Sequence, residues 1–179
     1  MDCEVVRYQT AGDDQSKIAD EIREAWKEAD LILTTGGVSV GEKDLLPGVI
    51  ENLTGNVLFH GIQVKPGMPT MLSVVKGTPV LSLSGNPFAV EALFEVLAGG
   101  YLTDMEASRY LQKNQMKVLK QTFVKTGKMK RIVKGRCDES GVYLPQIQKN
   151  GQLKNGIGSN CLVIFRKVNG RMQKEKASG

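Results

Sequence analysis

Three short loops hold the residues best suited to chemistry. The first is Thr34-Thr35-Gly36-Gly37-Val38-Ser39-Val40-Gly41-Glu42-Lys43-Asp44. Its glycines let the backbone turn so that several N–H groups can face one anion. Thr35 and Ser39 add hydroxyls. Glu42 and Asp44 put carboxylates at the same rim, where they could hold a hard cation or a proton. The pattern is neither G-x-G-x-x-G nor G-x-x-x-x-G-K-S/T, so neither the dinucleotide nor the P-loop reading applies. A tight turn with acidic helix-capping residues is the alternative to an anion site. The second loop is Val64-Lys65-Pro66-Gly67-Met68-Pro69. Two prolines and a glycine fix its shape, which could aim Lys65 at an oxyanion; a surface turn with a solvated lysine is the alternative. The third is Ser84-Gly85-Asn86-Pro87, a helix start that either receives an anion or merely caps.

Other reactive residue types carry less. His60 is the only histidine, which excludes a multi-histidine metal site, and it reads as structural or exposed. The cysteines are Cys3, Cys137 and Cys161. Three widely spaced thiols without C-x-x-C argue against a disulfide framework or a cysteine zinc site, and for a reducing cytoplasm. Cys161 sits in an apolar strand pattern and reads as packing.

The elements that must position the loops are legible in the periodicity. Cys3–Tyr8 reads as a short strand. Asp13 and Asp14 offer helix caps, and Ile18, Ile22, Trp26 and Ala29 then recur on one helical face. Leu31–Thr34 reads as a buried strand, and Leu45, Val49, Ile50 and Leu53 as a helix. Asn56–Ile62, Thr70–Val75 and Pro79–Leu83 read as further strands. Asn86 as cap and Pro87 in the first turn open a helix with Val90, Leu93, Phe94, Leu97 and Tyr101 as its apolar stripe, which Gly99-Gly100 should end. Strands alternating with helices predict an α/β sheet, whose ligands gather at the carboxyl ends of strands.

Beyond Thr103 the texture changes. Glu106–Gln115 reads as a connector and Gly170–Gly179 as a polar tail. Between them, Val118–Thr122, Arg131–Cys137, Gly141–Pro145 and Cys161–Arg166 read as short strands, with turns at Gly127, Gly135, Gly151 and Asn155-Gly156. The charge changes with the texture. Residues 1–104 hold seven basic against fifteen acidic residues, a net −8, and residues 105–179 hold 17 against four, a net +13. Two domains are expected, 1–104 and 105–179, with a solvated basic face on the second. Few aromatics interleave with those basic residues, so a base-stacking platform is not evident. The chain has 179 residues, 41% hydrophobic and 24% charged, enough apolar material for a packed core. No apolar run spans a bilayer and Met1-Asp2-Cys3-Glu4 has no signal-peptide pattern, so neither a membrane nor a secreted setting is expected.

Taken together, Thr34 to Asp44, then Val64-Lys65-Pro66-Gly67-x-Pro69, then Gly85-Asn86-Pro87, resemble the molybdopterin molybdenumtransferase family, MoeA and the gephyrin E domain, in order and separation. The stretch around Gly158-Ser159-Asn160-Cys161-Leu162-Val163 resembles the end of that family's C-terminal β-barrel. The resemblance covers nearly the whole chain. It implies a three-layer α/β/α molybdopterin-binding domain, N-terminally incomplete because its first strand and helix are missing, followed by a small all-β barrel. The chain is then the C-terminal portion of a longer protein, with Met1 an internal residue or an alternative start, and is expected to be inactive by itself. The implied activity is insertion of molybdate into adenylylated molybdopterin with release of AMP, in a homodimer working with Mg2+. Carried over by position, Thr35, Gly36, Gly37, Ser39, Gly41, Gly85 and Asn86 would bind the pterin phosphate and nucleotide. Asp44 would be the essential acid and, with Glu42, would hold the metal. Lys65, also assigned a catalytic role, would border the molybdate pocket with Ser84 and Pro87. Met68 stands where the family usually has a second lysine, and Ser84 where it usually has proline. The competing class is a non-catalytic scaffold or a basic nucleic-acid-binding module; nucleic acid is the less favoured partner.

Overall fold

The computed structural model describes residues 3–39, 44–99, 101–102, 115–124, 127–145, 158–166 and 171–172. Contacts group them into two units, Met1–Ile62 with Gly67–Tyr110, and Gln63–Pro66 with Leu111–Gly179.

The first unit opens with residues 3–10 outside any regular element, which corrects the strand expected at Cys3–Tyr8. Val5 and Tyr8 are 80% and 86% exposed, so little apolar surface of this stretch is buried among the described residues to make a strand worthwhile. Helix α1 (Gln15–Ala25) starts where the carboxylate of Asp14 accepts from the Ser16 and Lys17 N–H groups at 3.0 and 3.3 Å. Its buried face is Ala19, Ile22 and Ala25, with Ile18 and Trp26 packed at the margin. Strand β1 (Ile32–Thr35), helix α2 (Leu45–Asn52) and strand β2 (Asn56–His60) follow, and α1 packs on α2. After β2 the chain leaves for the second unit and returns for β4 (Met71–Val75) and β5 (Thr78–Leu83).

These strands make one mixed sheet in the order β1-β5-β4-β2. The β1–β5 pair is parallel, with Thr34 opposite Ser82 and Thr35 opposite Leu83; the other two pairs are antiparallel. One core cluster joins Ile32, Met71, Val75 and Val80 of the sheet to Leu46, Val49 and Ile50 of α2 and to Ala19, Ile22 and Ala25 of α1. Burying each large aliphatic side chain there contributes roughly 1.5–3 kcal/mol. Helix α3 (Pro87–Leu93) begins as expected, with Asn86 Oδ1 accepting from Ala89 N–H at 3.2 Å and Pro87 in the first turn. It runs on through a wider π-helical turn at Phe94–Ala98. Gly99 does not end it. That glycine keeps right-handed helical angles (φ −57°, ψ −40°), and residues 101–102 are helical too, because glycine permits a helix stop without imposing one. Gly100 lies outside the described residues.

The second unit is built on β7 (Lys130–Asp138). Strand β3 (Val64–Lys65) pairs in parallel with its start, β8 (Gly141–Tyr143) antiparallel with its end, and β9 (Cys161–Phe165) antiparallel along Arg131–Gly135. Strand β6 (Phe123–Val124) pairs antiparallel with β10 (Arg171–Met172). Val133, Val142, Leu144 and Phe165 form the core, and Phe123 stacks on Phe165 with ring centroids 4.1 Å apart. The strand expected at Val118–Thr122 is reduced to a single bridge, Leu119 to Val142. Gly135 is no turn: it lies inside β7 opposite Cys161. A Cβ there would meet Val163 at 2.9 Å and the Tyr143 carbonyl at 3.1 Å, so the glycine serves close strand approach. The Gly151 and Asn155-Gly156 turns, and almost all of the Glu106–Gln115 connector and the Gly170–Gly179 tail, lie outside the described residues.

Candidate functional site

The carboxyl ends of β1 and β5 bring two of the three loops together. Gly36 and Gly37 follow β1 with φ of +85° and +62°, a left-handed path that other residues adopt at a cost. This turn lets the Gly36 N–H donate to the Leu83 carbonyl at 2.9 Å, tying the first loop to the end of β5. A Cβ on Gly85 would lie 3.7 Å from the Gly36 Cα, so the backbones of the two glycine turns run side by side. Thr35, Gly36, Gly37, Ser84, Gly85, Asn86 and Pro87 thus gather at one end of one sheet. The same end receives α2, whose Leu46 N–H donates to the Gly37 carbonyl at 3.3 Å. Ser39 is exposed beyond the buried Val38. Gly41 and Glu42 lie outside the described residues.

Asp44 occupies the position before the first residue of α2, yet its side chain makes no capping hydrogen bond. Its Oδ2 is buried and has no partner. The capping role is therefore absent in this geometry, and a desolvated carboxylate oxygen is left, which is costly unless something binds it. Three hydroxyls share this condition: Thr34 Oγ1, Ser82 Oγ and Ser84 Oγ are buried without partners. In the sequence Thr34 opens the first loop without a role of its own, and Ser82 falls inside the Pro79–Leu83 strand pattern. The available signal was polar residues inside an apolar run, Leu81-Ser82-Leu83-Ser84.

The remaining candidates are placed differently. Asn86 spends its side-chain oxygen on the α3 cap, leaving its amide N–H groups as donors. Lys65 is exposed on β3, opposite Arg131 of β7, and so belongs to the second unit. Gly67, back in the first unit, is buried with φ +102°, and a Cβ on it would fall 2.2 Å from Leu93 Cδ1. Its carbonyl accepts from Thr70 Oγ1 at 2.7 Å. His60 is exposed and its Nε2–H donates to the Val38 carbonyl at 3.3 Å. Cys161 packs against the second core, where burial first, and Cys137 second, raise its thiol pKa. Among the described residues no three His, Cys, Asp or Glu side chains cluster as metal ligands, and no helix is long and apolar enough to cross a membrane.

Comparison with known proteins places this arrangement. The chain is 29% identical over 167 residues to a molybdopterin molybdenumtransferase of Staphylococcus aureus (strain COL), a match covering 90% of the chain and 40% of that relative. A molybdopterin molybdenumtransferase of Staphylococcus epidermidis is 36% identical over 93 residues, covering 52% of the chain and 22% of the relative. The chain thus spans 40% or less of the length of these curated relatives. The molybdopterin biosynthesis MoeA protein of Pyrococcus horikosii shares the fold, with a TM-score of 0.72 at 23% identity over 90% of this chain and 39% of that one. Residues 1–104, which carry the loops at the ends of β1 and β5, match the family described as "Probable molybdopterin binding domain", and the chain belongs to that family.

Proposed function

We propose that this chain is the C-terminal portion of a molybdopterin molybdenumtransferase, which inserts molybdate into adenylylated molybdopterin and releases AMP. The observation that carries the reading is the pair of adjoining glycine turns at the carboxyl ends of β1 and β5, with Asp44 opening the helix held at Gly37. Strand ends with turning glycines are where phosphorylated ligands bind in α/β sheets. In this reading the 1–104 segment is the α/β/α pterin domain, 105–179 is the β-barrel domain, and the complete protein is a cytoplasmic homodimer.

Each group then has a task. The Gly36-Gly37 and Gly85 backbones admit phosphate close to the chain, where Thr35, Ser39 and Gly41 add donors. The Asn86 amide donates to an anion while its oxygen holds α3. Ser84 and Pro87 border the molybdate. Release of AMP breaks the phosphoanhydride bond between the pterin phosphate and the nucleotide. The residues present fit a magnesium ion held jointly with substrate phosphate, since such ions take one or two protein carboxylates and fill the rest with phosphate and water. Asp44 would hold it with Glu42, and the ion would neutralise charge as that bond opens.

The test is Asp44→Asn in the complete protein. Asparagine keeps the shape but loses the charge. Turnover should fall by about two orders of magnitude or more, the scale of losing a well-placed electrostatic group, with little change in the melting midpoint. Wild-type turnover with an unchanged melt would remove Asp44 from the site.

A further inference from the structure

Two of the four unpartnered atoms, Thr34 Oγ1 and Ser82 Oγ, lie on one face of the sheet. Thr34 and Ser82 are opposite one another in the parallel β1–β5 register, so their side chains leave the same side. Ile32 and Val80, two residues earlier on each strand, share that side, and both belong to the core cluster that contains Leu46, Val49 and Ile50 of α2. Helix α2 therefore covers the face that carries the Thr34 and Ser82 hydroxyls. Its amino end is held at Gly37, three residues past Thr34, and Asp44 is the residue that begins it. Ser84 follows Ser82 at the strand's end.

We propose that Thr34 and Ser82 are positioning residues for Asp44, joined to its Oδ2 through ordered water beneath the amino end of α2. None of the four atoms has a hydrogen-bond partner, so none of them bonds another directly. Thr34 Oγ1, Ser82 Oγ and Asp44 Oδ2 are three buried polar atoms, within the two to four partners one enclosed water can satisfy. Hydroxyls can donate to that water and the carboxylate can only accept, so the polarity of the row is fixed: hydroxyl to water to Oδ2. Holding Oδ2 this way locks the carboxylate rotamer and leaves Oδ1 for a ligand. The proposal rests on the functional reading of Asp44 but is tested without it.

Sign separates the two states of Ser82. A truly orphaned buried hydroxyl is a liability, and Ser82→Ala would raise the melting midpoint. A hydroxyl engaged through water makes Ser82→Ala lower it, by about 2–4 °C for a chain of this size. Two double-mutant cycles on the full chain read the link: Ser82→Ala with Asp44→Ala, and Thr34→Val with Asp44→Ala. In each, the hydroxyl deletion should cost less than half as much once Asp44 is alanine. The Asp44 carboxyl carbon resonance, assigned by its loss in Asp44→Ala, should move in Ser82→Ala and Thr34→Val and stay in place in Thr34→Ser, which keeps the hydroxyl. A raised midpoint in Ser82→Ala, equal shifts in both backgrounds, or an unmoved Asp44 resonance would overturn the proposal. Thr34 is partly exposed, so its variants judge the link even if Ser82→Ala folds poorly. Full turnover of Asp44→Asn would instead sink the functional reading and leave this one standing.

Discussion

A single carboxylate shows how far residue types alone could be read. The sequence set Asp44 beside a glycine loop and left two roles open, ligand-holding and helix capping. The missing capping bond speaks against the second role, and neither it nor the burial of Oδ2 is encoded in spacing. Thr34 and Ser82 were illegible for the same reason: a hydroxyl in a strand is unremarkable until its burial and lack of partners are known. Residue-scale burial also makes a prediction for Cys161. Its thiol pKa is raised, mainly by desolvation, so at neutral pH its thiolate fraction is depressed. Cys3 is exposed. Iodoacetamide at pH 7.5, followed by peptide mass spectrometry, should label Cys3 well before Cys161, with the Cys161 rate climbing as pH rises. Equal rates at pH 7.5 would mean that the β7–β9 packing around Cys161 opens in solution.

At the scale of elements, the strong signals were the long or chemically marked ones. The four-, four- and three-residue spacing of Ile18, Ile22, Trp26 and Ala29 and the Asn86-Pro87 start led to real helices, because the amphipathic stripe and the cap are local properties. The short elements failed where tertiary context decides. Strand β3 is two residues long and has no period to read; its partner β7 begins 65 residues after the end of β3. Cys3–Tyr8 has strand composition but pairs with no strand among the described residues. Asp14 gives the element-scale test. Its pKa is lowered, first by the Ser16 hydroxyl bond and then by the Lys17 backbone N–H. A depressed folded pKa means the capping contribution is present above the unfolded value near 3.8 and lost as pH falls through the lower folded value. Asp14→Ala should therefore lower the melting midpoint at pH 7, and the gap from wild type should close as pH falls through the lowered folded value. A gap that persists unchanged in acid would assign the loss to helix propensity instead. Gly67→Ala tests the return to the sheet: with φ +102° and Leu93 Cδ1 at 2.2 Å from the new carbon, it should cost about 2–4 kcal/mol in chemical denaturation.

For the whole molecule, the charge division was plain in the sequence, but its meaning was not. The 105–179 segment carries a net +13. Such a surface attracts any polyanion, which is why a nucleic-acid reading competes with the enzyme reading. Charge alone cannot choose between them, since counterion release gives affinity without recognition. Recognition would need base-edge donors or a stacking platform, and Phe123 and Phe165, which stack on each other within the second unit's hydrophobic core, offer none. The expected outcome of a salt titration is thus weak, indiscriminate binding: Kd no tighter than about 1 µM for DNA or RNA near physiological salt, equal for unrelated sequences. AMP retention in the presence of Mg2+ should barely respond to the same salt change, because a nucleotide in an enclosed loop site releases few counterions. Fluorescence anisotropy with two unrelated oligonucleotides, beside equilibrium dialysis of AMP, measures both. Nanomolar, sequence-selective binding with a steep salt slope, and no AMP retention, would transfer the function from the glycine loops to the basic half of the chain.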